Sequence, residues 1–177
     1  MADPSAPVPS PASAADGRAP TSLIARAGRA VFARHSNPWS AWSRWATTPL
    51  VLVPAWTRNW KHAVAVGTWF AVNPVLFPEP KDDSDWATRA MLGEEQWIDD
   101  GPKDAAFAVQ IAASAAGTVA VASAWRRKAA PAVVGTAVTM GLTMVYWSQM
   151  VRYYEANKRR TAEQDTQGAT GEAAPKE

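Results

Sequence analysis

Two long apolar runs in the second half of the chain constrain its fold more than any other feature. They occupy residues 104–124 and 130–151, and Trp125 with the basic turn Arg126-Arg127-Lys128 separates them. A transmembrane helix needs about 20 predominantly apolar residues to cross a hydrocarbon core of about 30 Å. Both runs have this length, so they predict two helices that cross a bilayer.

Small residues recur along both runs at helical spacing. Between helices in lipid, small side chains allow the close backbone approach on which packing depends. We therefore expect the two helices to pack against each other. The predicted packing residues are Ala112, Ala113, Ala116, Gly117, Ala120, Gly135, Ala137 and Gly141.

Two further apolar segments precede these runs, and Pro interrupts both. Residues 38–57 contain Pro49 and Pro54, so this segment is predicted either to cross the membrane with a kink or to re-enter it. Residues 63–77 predict a short span that is broken at Asn73-Pro74. The two segments would form a helical hairpin around a basic turn. The predicted fold is all-α, a polytopic membrane protein with about four transmembrane or re-entrant helices.

Polar segments flank this membrane domain. The sequence predicts a disordered Pro/Ala-rich tail (1–22), a basic amphipathic surface segment (23–34), a helical membrane domain (35–154) with an acidic loop (79–103), and a disordered polar tail (155–177). Lys and Arg are more numerous on the side of the termini and the acidic loop than on the side of the two basic turns. This bias predicts that both termini are cytoplasmic.

The chain contains 10 Trp, an unusually large share for 177 residues. Indole rings favour the headgroup level of a membrane, where the ring contacts apolar groups and the N–H stays hydrated. A flat pigment or quinone stacked on these rings is an alternative, but anchoring at the membrane boundary explains them without a ligand. The predicted interface anchors are Trp39, Trp42, Trp45, Trp56, Trp60, Trp125 and Trp147.

The sequence offers little chemistry for catalysis. It has no Cys and only two His, which excludes disulfides, thiolate nucleophiles and Cys-ligated metal sites. No spacing of the acidic loop matches a calcium-binding loop, and no nucleophile elbow or phosphate-binding Gly loop occurs. We therefore predict that the protein is not an enzyme, that it binds no metal or cofactor, and that it does not bind nucleic acid.

Two polar residues lie inside the predicted spans. Asn73 precedes Pro74, where it can mark either a helix end or a polar point in a ligand or ion path. Gln110 lies in the third segment, where a hydrogen bond to a neighbouring helix is the simpler interpretation.

Several short motifs occur together within residues 35–154. They are His35-Ser36-Asn37-Pro38-Trp39-Ser40-x-Trp42-Ser43-Arg44, Asn73-Pro74-x-x-Phe77-Pro78, Trp86, and Leu92-Gly93-Glu94-x-x-Trp97. With these motifs the sequence resembles an uncharacterised family of small prokaryotic integral-membrane proteins. The resemblance implies placement in a prokaryotic cytoplasmic membrane, and it implies no activity.

Two functional hypotheses follow. In the first, the protein is a structural or accessory subunit, and its partners are the lipid bilayer and either other membrane-protein subunits or a second copy of itself. In the second, it is a small oligomeric transporter or channel-like protein whose path passes Asn73 and Gln110.

Overall fold

The computed structural model describes residues 34–101 and 105–172, with side chains described as far as Gln167. Every regular element in these ranges is helical, which confirms the all-α prediction. The helices are α1 (Pro38–Thr47), a 3-10 turn (Thr48–Val51), α2 (Leu52–Thr57), α3 (Trp60–Leu76), α4 (Trp86–Asp100), α5 (Ala105–Trp125) and α6 (Ala129–Glu172). The predicted tail 1–22 and surface segment 23–34 lie outside the described residues, apart from Arg34.

The first hairpin consists of α1, the 3-10 turn and α2, followed by α3. The Asn37 side chain accepts a hydrogen bond from the Trp39 amide (2.9 Å) and caps α1, and Pro38 occupies the first turn, where no N–H is required. Pro49 lies in the 3-10 turn, which joins α1 to α2. Two hydrogen bonds connect the α1 side of this hairpin to the α3 side. The Asn37 side-chain amide donates to the Pro78 carbonyl (2.9 Å), and the Trp69 indole donates to the Thr47 hydroxyl (2.8 Å).

The predicted break at Asn73-Pro74 is wrong, because α3 continues through both residues and ends at Leu76. Pro74 lies in the last turn of the helix. The Asn73 side chain is fully buried against α1, where hydroxyl groups bind its amide, so contacts with the neighbouring helix support this end of α3.

The second hairpin consists of α5 and α6. Their turn is stabilised by hydrogen bonds from the Arg127 amide to the Ala124 carbonyl and from the Lys128 amide to the Ser123 carbonyl, both 2.9 Å. This is the pattern of a Schellman motif, in which the residue after the helix takes a left-handed conformation. Arg127 takes it here, with φ 56°.

The two hairpin turns lie together at one end of the bundle. The Arg58 guanidinium donates a hydrogen bond to the Trp125 carbonyl (2.8 Å), and it stacks 5.1 Å from the centre of the Trp125 ring. We call this region, with Arg58, Lys61, Arg126, Arg127 and Lys128, the turn end.

Most of the predicted acidic loop is a helix. Asp85 caps α4 by accepting a hydrogen bond from the Ala87 amide (2.8 Å), and the helix runs past Gly93 to Asp100. Gly93 is the point at which α4 packs most closely on α6: a Cβ there would lie 2.1 Å from the Met150 carbonyl oxygen. Around this contact lies the main core, which includes Met91, Trp97 and Tyr146.

The structure also corrects the prediction of a disordered tail from residue 155. Helix α6 continues to Glu172. This segment consists largely of good helix formers, and it adds turns to a helix that already exists, so no new nucleation is required. Its first turns contact α4 through Arg89 with Glu155, and they contact the segment before α4 through Lys158 with Asp83.

Two helices within the described residues are long and apolar enough to cross a membrane, fewer than the four predicted. They are α5 and the part of α6 up to Gln167, and only 17% of the apolar window of each is buried inside the fold. α3 has 17 residues, and the 3-10 turn interrupts the 20-residue path from α1 to α2, so neither forms a continuous helix of comparable length.

The α4–α6 contact predicts the effect of adding one methyl group. Gly93→Ala would place a Cβ against the backbone of Met150, which cannot move aside as the end of a flexible side chain can. The substitution should therefore lower the free energy of unfolding by about 3 kcal/mol. Gly67→Ala is the matched control, because nothing lies within 4 Å of its added Cβ. Thermal unfolding in detergent should show a large loss for the first variant and none for the second; equal midpoints would contradict the contact.

Candidate functional site

A polar cavity of about 270 Å³ lies where α1, α3, α4 and α6 meet. The cavity is open to the surface, and its walls combine ionisable side chains with aromatic rings. The lining residues are His35, Arg44, Trp45, Thr48, Phe70, Met91, Glu94, Thr143 and Trp147. We treat this cavity as the candidate site.

Arg44 is the cation of the cavity, and its guanidinium is held by its own chain. Nε donates to the Ser40 carbonyl (3.1 Å), and Nη2 donates to the His35 carbonyl (3.4 Å). Nη1 lies 2.5 Å from Nδ1 of His35. Arg44 therefore folds back beside His35.

His35 is neutral in this arrangement. Burial first, and then the positive charge of Arg44, lower the pKa of His35 from 6.5 to about 4. An imidazole that accepts a hydrogen bond from a guanidinium must leave that ring nitrogen unprotonated. The contact with Arg44 and the low pKa therefore describe the same neutral state.

Glu94 supplies the carboxylate of the cavity. It lies on α4 and accepts a hydrogen bond from the Tyr146 hydroxyl (3.0 Å). Burial raises the pKa of Glu94, while the Tyr146 hydrogen bond and the charge of Arg44 oppose that shift. The cavity thus holds one cation, one carboxyl group that protonates more readily than usual, and one neutral imidazole. Such a set can bind a small polar molecule by hydrogen bonds, with aromatic rings on its sides.

Trp45 and Trp147 line the cavity, and both contact the ring of Trp42. The rings of Trp42 and Trp86 stack with centroids 5.9 Å apart, and Trp147 meets Trp42 edge-on at 5.8 Å. The Trp45 indole donates a hydrogen bond to the Met140 carbonyl (3.2 Å). Trp45 is half-buried and only 7% of Trp147 is exposed, so little of the Trp147 ring is left for the predicted anchoring at a membrane boundary, whereas 38% of Trp42 is exposed. Trp39, Trp56, Trp60 and Trp125 are exposed at the surface.

The structure does not bring Asn73 and Gln110 together. Asn73 is fully buried; its Oδ1 accepts from the Ser40 hydroxyl (3.0 Å), and its Nδ2 donates to the Ser43 oxygen (2.8 Å). Gln110 is exposed on the outer face of α5. Neither residue lines the polar cavity.

Some of the predicted small residues lie between α5 and α6, and others lie on the outer faces of this hairpin. Gly135 packs on α5, where its Cβ would lie 3.0 Å from the Ala120 Cβ and 3.1 Å from the Ala116 carbonyl. Gly117 and Ala113 contact Thr139 of α6. The predicted packing role is wrong for Ala112, Ala137 and Gly141, which are exposed on outer faces.

Sequence patterns missed the cavity. His35 and Arg44 lie nine positions apart around a helix start, and Glu94 comes from α4, which lies within the predicted acidic loop 79–103. The useful signal was the shared presence of these three residues in the motifs of residues 35–97.

Comparison with known proteins places the chain in a family. The model of DUF6653, a family of unknown function, matches residues 23–172. The chain belongs to DUF6653. No curated protein and no solved structure matches it. The DUF6653 match includes both hairpins, α4 and every residue of the cavity, but the family supplies no activity.

Asn73 tests the hydrogen bonds between α1 and α3. Asn73→Leu would leave the buried Ser40 hydroxyl without its acceptor and the Ser43 oxygen without its donor, so the free energy of unfolding should fall by about 1–3 kcal/mol. Val72→Leu, at the exposed neighbouring position, is the control and should change little. Unfolding midpoints in detergent measure both, and a stable Asn73→Leu protein would show that the network contributes nothing.

His35 predicts a pH dependence of stability. Because its pKa is about 4 in the folded chain and 6.5 when unfolded, the unfolded chain binds the extra proton as the pH falls from about 6.5 to 4. The free energy of unfolding should therefore decrease as the pH is lowered across that range. The raised pKa of Glu94 acts with the opposite sign, since the unfolded carboxyl ionises first as pH rises.

Comparison with His35→Gln separates the two effects, because Gln keeps an acceptor for Arg44 and does not titrate. The unfolding midpoint of the variant should lose less between pH 6.5 and 4 than that of the natural chain. Parallel pH profiles would show that His35 does not titrate as described.

Proposed function

We propose that this DUF6653 protein is a four-span integral membrane protein that acts as a structural or accessory subunit. In this proposal it lies in a prokaryotic cytoplasmic membrane with both termini in the cytoplasm, and it has no catalytic activity. It docks through the outer face of α5 against another membrane-protein subunit or a second copy of itself.

Exposed apolar surface on α5 and α6 supports the membrane placement. A core helix of a soluble protein buries most of its apolar face, whereas these two helices bury little of theirs. Large exposed side chains extend around both helices: Phe107, Ile111, Val119, Val133, Val134, Val138 and Val145. Lipid tails would cover this surface.

The arrangement of the hairpins supports four spans. Both turns lie at the turn end, α2 packs on α5, and α3 packs on α1 and α2. At about 1.5 Å per residue, the 17 residues of α3 reach about 26 Å, close to the thickness of a hydrocarbon core. Exposed Trp60 and Trp125 mark one boundary of this layer and exposed Trp39 the other.

Gln110 is the observation that carries the docking proposal. Its amide is exposed on an apolar helix, and the described part of the chain offers that amide no hydrogen-bond partner. Ser114 and Thr118 continue the same face at spacing four, and each hydroxyl bonds to the carbonyl one turn earlier. An amide in lipid is stabilised by a polar group on another helix. A partner helix on this face would supply one.

The transporter hypothesis has weaker support. Both polar atoms of the Asn73 amide are bound by hydroxyls of α1, so they are engaged in the hairpin itself. Gln110 faces outward instead of toward Asn73.

Gln110→Leu tests the docking face. The tagged chain, extracted from native membranes in mild detergent, should co-purify with a stoichiometric partner or as a self-oligomer, and Gln110→Leu should reduce that recovery several-fold. Gln164→Leu is the control, because Gln164 is exposed on the polar extension of α6. Recovery of the natural chain as a monomer would contradict the proposal, and an unaffected complex with Gln110→Leu would move the interface elsewhere.

A further inference from the structure

The turn end concentrates positive charge without any carboxylate. Arg58, Lys61, Arg126, Arg127 and Lys128 are all exposed there, and residues 34–78 and 105–154 contain no Asp or Glu. The described residues form two ion pairs, Arg89 with Glu155 and Lys158 with Asp83. Both lie far from the turn end, since Glu155 is about 39 Å along α6 from the start of that helix at Ala129. Anions for the turn end must therefore come from outside the described part of the chain.

Two of these cations occupy a backbone conformation that favours glycine. Arg58 has φ 52° and Arg127 has φ 56°, and they are the non-glycine residues with positive φ among those described. Arg58 directly follows the last residue of α2, and Arg127 is the second residue after the end of α5. Gly is the usual residue at such positions. An Arg at both positions keeps a charge at the cost of conformational strain. Such an outlier suggests that the charge has a role of its own.

An apolar groove leads away from these charges along α5. It is open and shallow, has a volume of about 650 Å³, and is lined by Gly117, Thr118, Val121, Ala122, Trp125 and Arg126. The groove begins in the apolar middle of the helix and ends at Arg126, beside the Trp125 ring on which Arg58 stacks. A ligand that fits it has an apolar chain and an anionic head in that order.

We propose that the turn end binds an anionic phospholipid, with the phosphate at Arg126, Arg127 and Lys128 and an acyl chain in the groove on α5. Guanidinium and ammonium groups donate strong hydrogen bonds to phosphate oxygens, and cationic residues at a membrane surface attract anionic lipids. This inference rests on the membrane placement proposed above and does not require a partner at Gln110, although the docking face and the groove meet at Thr118.

Lipid titration of the full-length chain in detergent tests the inference. The unfolding midpoint should rise with added phosphatidylglycerol, and much less with phosphatidylcholine of the same acyl chains. Replacing the three cations together (Arg126→Gln, Arg127→Gly, Lys128→Gln) should raise the phosphatidylglycerol concentration for half-maximal effect at least tenfold. The matched control, Arg159→Gln with Arg160→Gln on the polar extension of α6, should leave the response unchanged.

Arg127→Gly alone separates lipid binding from helix capping. Because Gly adopts positive φ without strain, this variant should unfold at the same or a higher temperature without lipid, while its response to phosphatidylglycerol weakens. If Arg127 served only the helix terminus, through favourable interaction with its last carbonyls, the basal midpoint would fall and the lipid response would persist. That result would overturn the inference.

Ala122→Phe tests the groove, because Ala122 is exposed within it. The added ring should weaken the phosphatidylglycerol response. Inorganic phosphate in place of lipid should stabilise the chain much less; an equal effect would reveal an anion site without an acyl-chain groove. A self-oligomer that Ala122→Phe disrupts without changing the lipid response would assign the groove to a second copy and likewise overturn the inference.

Alkaline extraction of native membranes distinguishes the two levels of failure. A chain released at high pH would contradict the membrane placement and with it the proposed function. A chain that stays in the membrane but shows equal responses to the two phospholipids would contradict only the lipid site.

Discussion

The close approach of α4 to α6 at Gly93 determines how the rest of the molecule is assembled. At this point the α4 backbone lies against the Met150 carbonyl, with no room for a Cβ. The approach brings Glu94 within hydrogen-bonding distance of Tyr146 and places Trp86 against the rings of Trp42 and Trp147. Without it, α4 would be a surface connection and the polar cavity would lose one of its walls. A single glycine thus couples a connecting helix to the two hairpins on either side of it.

Polar contacts then hold the first hairpin in an apolar setting. Ser40, Ser43 and Thr47 follow one face of α1, and they bind Asn73 and the Trp69 indole of α3. Between helices in lipid, apolar side chains gain nothing by leaving an apolar solvent, so hydrogen bonds and close packing must specify which faces meet. The second hairpin uses the other means, since Gly135 packs directly on Ala116 and Ala120. The two hairpins therefore reach the same topology by different interactions.

The sequence predicted the parts of the fold that local pattern controls. The lengths of the apolar runs indicated α5 and the start of α6, and small residues at spacing four indicated the face that includes Ala116 and Ala120. The pattern could not tell which side of a helix meets a partner, so Ala137 and Gly141 were assigned to the wrong face. Trp147 failed for the same reason, because an indole at a boundary and an indole in a core have the same local sequence. The cavity was missed because only tertiary contacts bring Arg44 and Glu94 together. The polar extension of α6 was missed because a polar composition does not prevent an existing helix from continuing.

The two ends of the bundle differ in how their charges are neutralised. The charges that set membrane orientation are therefore not the ones that would bind an anionic lipid. Near α4, Lys and Arg have carboxylates as neighbours, as Arg89 has Glu155 and Lys158 has Asp83. At the turn end the cations have no carboxylate neighbour among the described residues. Membrane orientation follows the number of Lys and Arg and depends little on Asp and Glu, so it favours the side with more basic residues. Attraction of an anionic lipid follows the net local charge, so it favours the turn end. In the proposed topology, the termini lie in the cytoplasm and the strongest uncompensated charge of the described residues faces the opposite leaflet.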